Sequence, residues 1–253
     1  MSLFTIMAYL PYPLILVEMV FSLYWRDGVY ALADTASNTL NGVITKLLST
    51  RVFSIYAVYY TAWHLGSFAL LSPIPMTLLS FIPCFLLVDF FYYLFHRLHH
   101  SYEVLWMFHS VHHSDDKFNL STAFRLSWFE QLYLVFFFIP IALIGFSPIE
   151  ILICYGCLSF YQFFCHGTYV QFPRIFDYIL VTPHNHSIHH DQAIQHQKNN
   201  LGGVFSIWDR AFGTYTAEIP RLTPGITGYH QINTLKIQTD PIVSFFKRSF
   251  ASK

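Results

Sequence analysis

Apolar positions fall in long runs separated by short polar breaks. Residues 52–71 and 74–95 are two such runs, joined by SPIP at 72–75. Residues 128–146 and 149–165 are a second pair, joined at Ser147-Pro148. A helix of about 20 residues covers roughly 30 Å, the thickness of a bilayer's hydrocarbon core. Each run therefore reads as a spanning helix and each pair as a hairpin. Pro83 and Pro140 lie inside runs and are expected to kink them, because proline removes a backbone donor. Residues 4–25 form a further apolar segment, interrupted by Pro11 and Pro13 and carrying Glu18; it is expected either to span or to lie in the interface. The pattern predicts an all-α integral membrane protein with four or five membrane helices, two hairpins plus the N-terminal segment, and a cytoplasmic histidine-rich helical cap. It divides as one membrane domain over 1–253: the N-terminal segment and first hairpin at 1–95, a polar, histidine-rich stretch at 96–127, the second hairpin at 128–166, and a cap at 167–253.

Composition agrees with a membrane setting. Of 253 residues, 54% are hydrophobic and 11% charged, against about 25% charged in a typical soluble domain. The formal net charge is zero, so no broad field attracts nucleic acid. No Lys or Arg precedes Arg26, whereas a secretory leader opens with positive charge, so residues 4–25 are expected to be retained. The hairpin turns at 72–75 and 147–148 carry no basic residue, while Arg26, Lys46, Arg51, Arg97, Lys117 and Arg125 are expected to flank helix ends on the other side. The positive-inside rule makes that side cytoplasmic, in a bacterial inner membrane or the endoplasmic reticulum. Cys84, Cys154, Cys157 and Cys165 all lie in apolar runs and read as small buried residues, the CYGC spacing at 154–157 included.

The histidines change the picture most. Of fourteen, twelve lie between positions 96 and 196, six of them within the eighteen residues HRLHHSYEVLWMFHSVHH. His96 and His100 are four apart; His109, His112 and His113 share one helical face, and His186, His189 and His190 repeat that pattern. Neutral imidazole suits Zn, Cu, Fe and Ni. Eight imidazoles are too many for one ion, and His166 at the end of the last apolar run makes nine, enough for two ions of four to six ligands. His99, about a third of a turn from its neighbours, is expected to face elsewhere, and His64, His196 and His230 read as ordinary surface or packing residues. Asp89 stands two helical turns before His96, within a membrane run where an acid is a functional candidate by default. It is expected to accept the free N–H of a ligand imidazole and fix its tautomer. His184 and Asn200 are expected to play similar supporting parts, and Tyr92, Tyr93 and Tyr161 are weaker candidates for the same role.

HRLHH (96–100), HSVHH (109–113) and HSIHH (186–190) resemble the three histidine boxes of the sterol desaturase/fatty acid hydroxylase superfamily. DFFYYLFHR (89–97), FNLSTAFR (118–125), YQFFCH (161–166) and NNLGGVFSIWDRAFGTY (199–215) resemble its alkylglycerol monooxygenase-like branch. Ser101, Asn185 and Lys198 depart from that branch's pattern, and they bear on substrate and reductant rather than on the metal ligands. The resemblance implies a non-haem di-iron centre that activates O2 and attacks an unactivated C–H bond of a lipid. Carried over by position, its ligands are His96, His100, His109, His112, His113, His166, His186, His189 and His190. Hydroxylation and desaturation both stay open, as does the lipid, whether sterol, fatty acyl or alkylglycerol in type. The residues show no haem or flavin domain, so a separate electron donor is expected. Two other readings compete: a metal transporter, which places its ligands near the bilayer midplane, and a non-catalytic membrane protein stabilised by metal.

Overall fold

The structure is a computed structural model that describes residues 3–64, 70, 72–217 and 222–251. Among the described residues the fold is all-α, with isolated β-bridges such as Leu180 to Phe205. Helices α1 (Leu3–Tyr9) and α2 (Pro11–Trp25) follow one another with a break at Leu10, and α3 runs from Leu32 to His64. Helix α4 spans Leu78–Ser101, α5 Glu103–His113 and α8 Pro148–Cys165. Between α5 and α8 lie the short α6 (Glu130–Tyr133) and α7 (Ile139–Leu143), separated by a 3-10 stretch at Leu134–Phe138. Helices α9 (Pro183–His189), α10 (Ile194–Gln197), α11 (Ile207–Ala211) and α12 (Thr234–Ala251) complete the polar third.

Three segments among the described residues are helical, long and apolar enough to cross a membrane: Thr5–Trp25, Leu78–Ser101 and Pro148–Cys165. The runs 74–95 and 149–165 thus appear as α4 and α8. The run 128–146 does not form one helix. Pro140 offers no N–H to close the turn from Phe136, and the chain passes through α6, the 3-10 stretch and α7 instead. The run 52–71 lies partly in α3, while residues 65–69 and 71 fall outside the described residues. Lys46 and Arg51 do not flank a helix end as expected; both lie inside the 33-residue α3.

Local chemistry sets the helix ends that matter here. Thr77 caps α4 by accepting from Ser80 N at 3.1 Å, and Ser80 Oγ takes the Thr77 N–H at 2.8 Å, the reciprocal pairing of a capping box. The Ser80 hydroxyl also donates to Glu150 in the first turn of α8 at 2.9 Å. The two long helices therefore start side by side and end side by side. Cys84, Val88, Cys154 and Leu158 between them are fully buried, with Phe138, Ile141 and Ala142 closing the layer. At its far end α4 stops where Tyr102 turns to extended backbone (φ −119°, ψ 124°), and the chain re-enters helix at once in α5.

The first helices are inside-out relative to a water-soluble protein. On α3, Asp34, Asn38, Asn41 and Thr45 are buried while Leu32, Leu40 and Leu47 face outward. On α2, Glu18 and Ser22 are buried and Val17, Val20 and Phe21 are exposed. Glu18 accepts from Tyr30, from Leu120 N at 2.8 Å and from Thr168 N at 2.8 Å. Burying polar groups that are hydrogen-bonded and turning apolar ones outward is the arrangement a lipid solvent rewards.

Candidate metal centre

The ends of α4, α5, α8 and α9 meet. The i, i+4 spacing puts His96 and His100 on one face of the last turns of α4, and the Tyr102 break aims α5 back across them. His166 is the residue that ends α8. On α9, the Thr182 hydroxyl caps the helix and Pro183 occupies its first position, where its missing N–H costs nothing.

All nine sequence-predicted ligands come together in two groups. His96, His100, His109, His113 and His189 form one, and His112, His166, His186 and His190 the other; within each group the candidate ligand nitrogens lie within 4.8 Å of one another. All nine are buried. Adjacent residues 112–113 and 189–190 split between the groups, because consecutive side chains on a helix diverge by about 100°.

The ring nitrogens show what the centre can hold. The outer nitrogens are anchored: His96 Nδ1 to the Leu201 carbonyl (2.9 Å), His109 Nδ1 to Glu130 (2.9 Å), His166 Nδ1 to the Gln162 carbonyl (2.8 Å), His189 Nδ1 to the Asn199 carbonyl (2.9 Å) and His112 Nδ1 to the Arg125 carbonyl (3.3 Å). A carbonyl or carboxylate can only accept, so these Nδ1 atoms carry the protons and each Nε2 is left a lone pair. Yet Nε2 of His166 stands 3.2 Å from that of His112 and 3.1 Å from that of His186. Among the described residues Nε2 of His96, His100, His109, His113, His189 and His190 is buried with no hydrogen-bond partner. Buried orphan acceptors are costly, and the facing lone pairs of His166 and His112 repel. A shared cation removes both penalties, so the donor set fits metal ions. Burial, the dominant cause, holds His113, His186 and His190 well below the ordinary histidine range, and takes His112 down to about 4 and His189 to about 3. They are therefore neutral, the state a ligand requires.

Among the described residues, the three supporting residues expected from sequence make their hydrogen bonds elsewhere than to these imidazoles. Asp89 accepts instead from Val204 N (2.6 Å), Phe205 N (3.2 Å) and Trp208 Nε1 (2.8 Å); it faces the 200–208 loop rather than His96. His184 bonds the Ala217 carbonyl (2.9 Å), and Asn200 bonds the Asn185 and Thr216 carbonyls (3.0 and 2.9 Å). Tyr161 donates to the Val181 carbonyl (2.7 Å), Tyr93 lies 3.1 Å from the Thr214 hydroxyl, and Tyr92 sits ring to ring with His96 at 5.8 Å. His99 belongs to neither group: its nitrogens meet the Phe95 carbonyl and the Tyr133 hydroxyl, each at 2.6 Å, and its ring lies 5.7 Å from that of His109. His196 pairs with Asp191 (2.9 Å). The residue that sequence reasoning missed is Glu130, which binds His109 and lies 3.5 Å from His99. Its signal was present, since it is an acid within the apolar run 128–146, the same criterion that singled out Asp89.

An apolar cavity of about 430 Å³ opens onto the centre. Its walls include His109, His112, His166 and Glu130, then Tyr92, Tyr155, Leu158 and Phe163, and Met7, Pro11, Tyr12 and Lys46 from the first three helices.

A membrane protein with a buried polyhistidine centre fit for two transition-metal ions is the class this geometry defines. The chain belongs to the fatty acid hydroxylase family, whose sequence pattern matches residues 81–214 and so includes all nine imidazoles. It is 33% identical over 246 residues to the alkylglycerol monooxygenase of Homo sapiens, covering 94% of this chain and 54% of that protein. The Danio rerio alkylglycerol monooxygenase is 34% identical over 227 residues, 88% of this chain and 50% of that protein. The ornithine lipid hydroxylase OlsE of Rhizobium tropici is 28% identical over 131 residues, 51% of this chain and 39% of that protein. The chain spans about half the length of the alkylglycerol monooxygenases it matches. No solved structure matches it.

Proposed function

We propose that the protein is a membrane-bound non-haem di-iron oxygenase that uses O2 to hydroxylate or desaturate a C–H bond of a lipid. The observation that carries the reading is the two groups of unpartnered imidazole nitrogens beside an apolar cavity. His96, His100, His109, His113 and His189 would hold one ion, and His112, His166, His186 and His190 the other. Two irons there would supply the reduction of O2 and the oxidising power that breaks an aliphatic C–H bond. The chain's own part is positional. Glu130 and the carbonyls of Leu201, Asn199, Gln162 and Arg125 fix the tautomers of His109, His96, His189, His166 and His112, so that those five lone pairs turn inward. The cavity, of a size ordinary for small-molecule sites, takes a hydrocarbon chain and keeps water out. A lipid with an alkyl or acyl chain fits it, in keeping with the alkylglycerol and ornithine-lipid names of the relatives. The electrons come from a separate donor.

Protein purified with iron should hold about two ions per chain. With a reductant it should consume O2 in the presence of an alkyl- or acyl-chain lipid and return a product that has gained one oxygen or lost two hydrogens. Two bound irons with no lipid oxidised would overturn the assignment. The distribution of Lys and Arg supports a centre on the cytoplasmic face in this reading. A cysteine introduced at exposed Thr239 should be labelled by an impermeant maleimide only after the membrane is opened, and labelling of intact cells would reverse the orientation.

A further inference from the structure

The loop from Asn199 to Phe205 is held between two carboxylates. Asp209 Oδ1 accepts from Leu201 N and Oδ2 from Gly202 N, both at 2.8 Å, and the Thr214 hydroxyl steadies that carboxylate at 2.7 Å. Beyond Gly203, Asp89 takes the amides of Val204 and Phe205. Both acids are fully buried. The fit leaves no room for side chains at the glycines. A Cβ on Gly203 would stand 2.5 Å from Asp89 Oδ1, and one on Gly202 would stand 2.5 Å from the Phe205 carbonyl and 3.0 Å from Asp209 Oδ2. Asn200 is in the left-handed region (φ 56°), a conformation asparagine tolerates better than most residues.

What this clamp presents to the site is one-sided. The Asn199 carbonyl anchors His189 and the Leu201 carbonyl anchors His96. Both imidazoles belong to the five-membered group, and no member of the four-membered group bonds the loop backbone among the described residues. There, His112 is anchored by the Arg125 carbonyl and His166 by the Gln162 carbonyl one turn earlier in its own helix, a backbone bond that α8 itself fixes although the Gln162 side-chain amide donates to the Gly202 and Gly203 carbonyls of the loop.

We infer that Asp209 and Asp89 are positioning residues for one metal position only, the one held by His96, His100, His109, His113 and His189, acting through the carbonyls of Leu201 and Asn199. The inference rests on the two-ion reading above. Replacing Asp209 by Asn turns one of its two acceptors into a donor aimed at a backbone N–H. The loop then shifts, and two of five imidazoles lose their orientation, while the other group keeps all its anchors. Loss of a hydrogen-bonding partner behind a ligand typically weakens metal affinity about 10–100-fold.

The test is metal counting on the full chain in detergent. Wild type should retain about two irons per chain on titration with a chelator of graded strength. Asp209→Asn should release one ion about 10–100-fold more readily and keep the other at wild-type affinity. In that background His186→Ala should empty the remaining position, whereas His100→Ala should change the count little further. Thr214→Val, a milder change behind the same carboxylate, should shift the same ion in the same direction by a smaller factor, which keeps the test open if Asp209→Asn folds poorly. Glu150→Gln, at a buried acid bonded to Ser80 at the opposite end of α4 and α8, should leave both ions in place. Both ions retained at wild-type affinity in Asp209→Asn and Thr214→Val, or both weakened alike, would overturn the inference. A wild-type protein that never binds a second ion would instead overturn the two-ion reading on which it rests.

Discussion

The two imidazole groups share α5 and α9, but α4 serves only the group of five and the end of α8 only the group of four, and they are held in different ways. The group of four draws on a short-range device, His166 bonded to a carbonyl one helical turn earlier, and on the Arg125 carbonyl thirteen residues from His112. The group of five has one anchor of similar range, the Asn199 carbonyl ten residues from His189, and otherwise depends on more distant chain. Leu201 is 105 residues from His96, and Glu130, at the start of the second hairpin's first apolar run, is 21 residues from His109. A local anchor forms with its helix, whereas a distant one exists only when the tertiary fold is complete. The five-membered group should therefore be the more sensitive to changes outside the histidines.

The largest effects come from the imidazoles themselves. His190→Ala in one group and His100→Ala in the other should each reduce lipid oxidation to background and lower iron from about two to about one per chain, read by metal analysis and product mass. Equal activity in either variant would separate that histidine from the centre. Next is Glu130→Gln. It keeps the shape but removes the charge behind His109, and is expected to weaken iron binding or turnover about 10–100-fold, while the i−4 bond of His166 stays intact. An effect confined to protein yield, with affinity unchanged, would make Glu130 a packing residue.

Acid provides a comparison between loaded and metal-free protein. His112 and His189 are held at about 4 and about 3 by burial, below the roughly 6.5 of an exposed histidine. Between those values the unfolded chain binds more protons than the folded one, so stability falls as pH drops. The stabilisation from their neutral form is complete above about pH 6.5 and is lost progressively toward pH 4 and below. Metal-free protein in detergent should show its thermal midpoint descending over that window, and iron should oppose the descent near its upper end. A flat profile in metal-free protein would mean the imidazoles are not buried together.

The smallest effect belongs to histidines outside the two groups. His230 is half exposed and lies 3.8 Å from Asp34 and 3.5 Å from Asp116; exposed His64 meets Tyr60 edge to face. Their alanine variants should keep iron and activity, with stability changed by no more than about 0.5 kcal/mol. A fall in iron content in His230→Ala would make the Asp34–Asp116–His230 cluster part of the metal chemistry.

What the sequence determined by itself was local. Apolar runs of bilayer length placed α4 and α8, because a helix in lipid must be apolar along its whole outward surface. The i, i+3, i+4 spacings put imidazoles on common helical faces, and the chemistry of imidazole pointed to metal. Only the tertiary structure decided the rest. Pro140 and its neighbours broke an apolar run that composition alone reads as one helix, since hydropathy does not register a missing N–H. The division of nine imidazoles into five and four followed from the angle at Tyr102 and from where α9 docks, and neither is a property of a short segment. Asp89 looked toward His96 along its own helix, yet its carboxylate went to the backbone of a loop more than a hundred residues on. A buried acid takes the nearest unpaired donors, and which donors are near is set by packing across the whole chain.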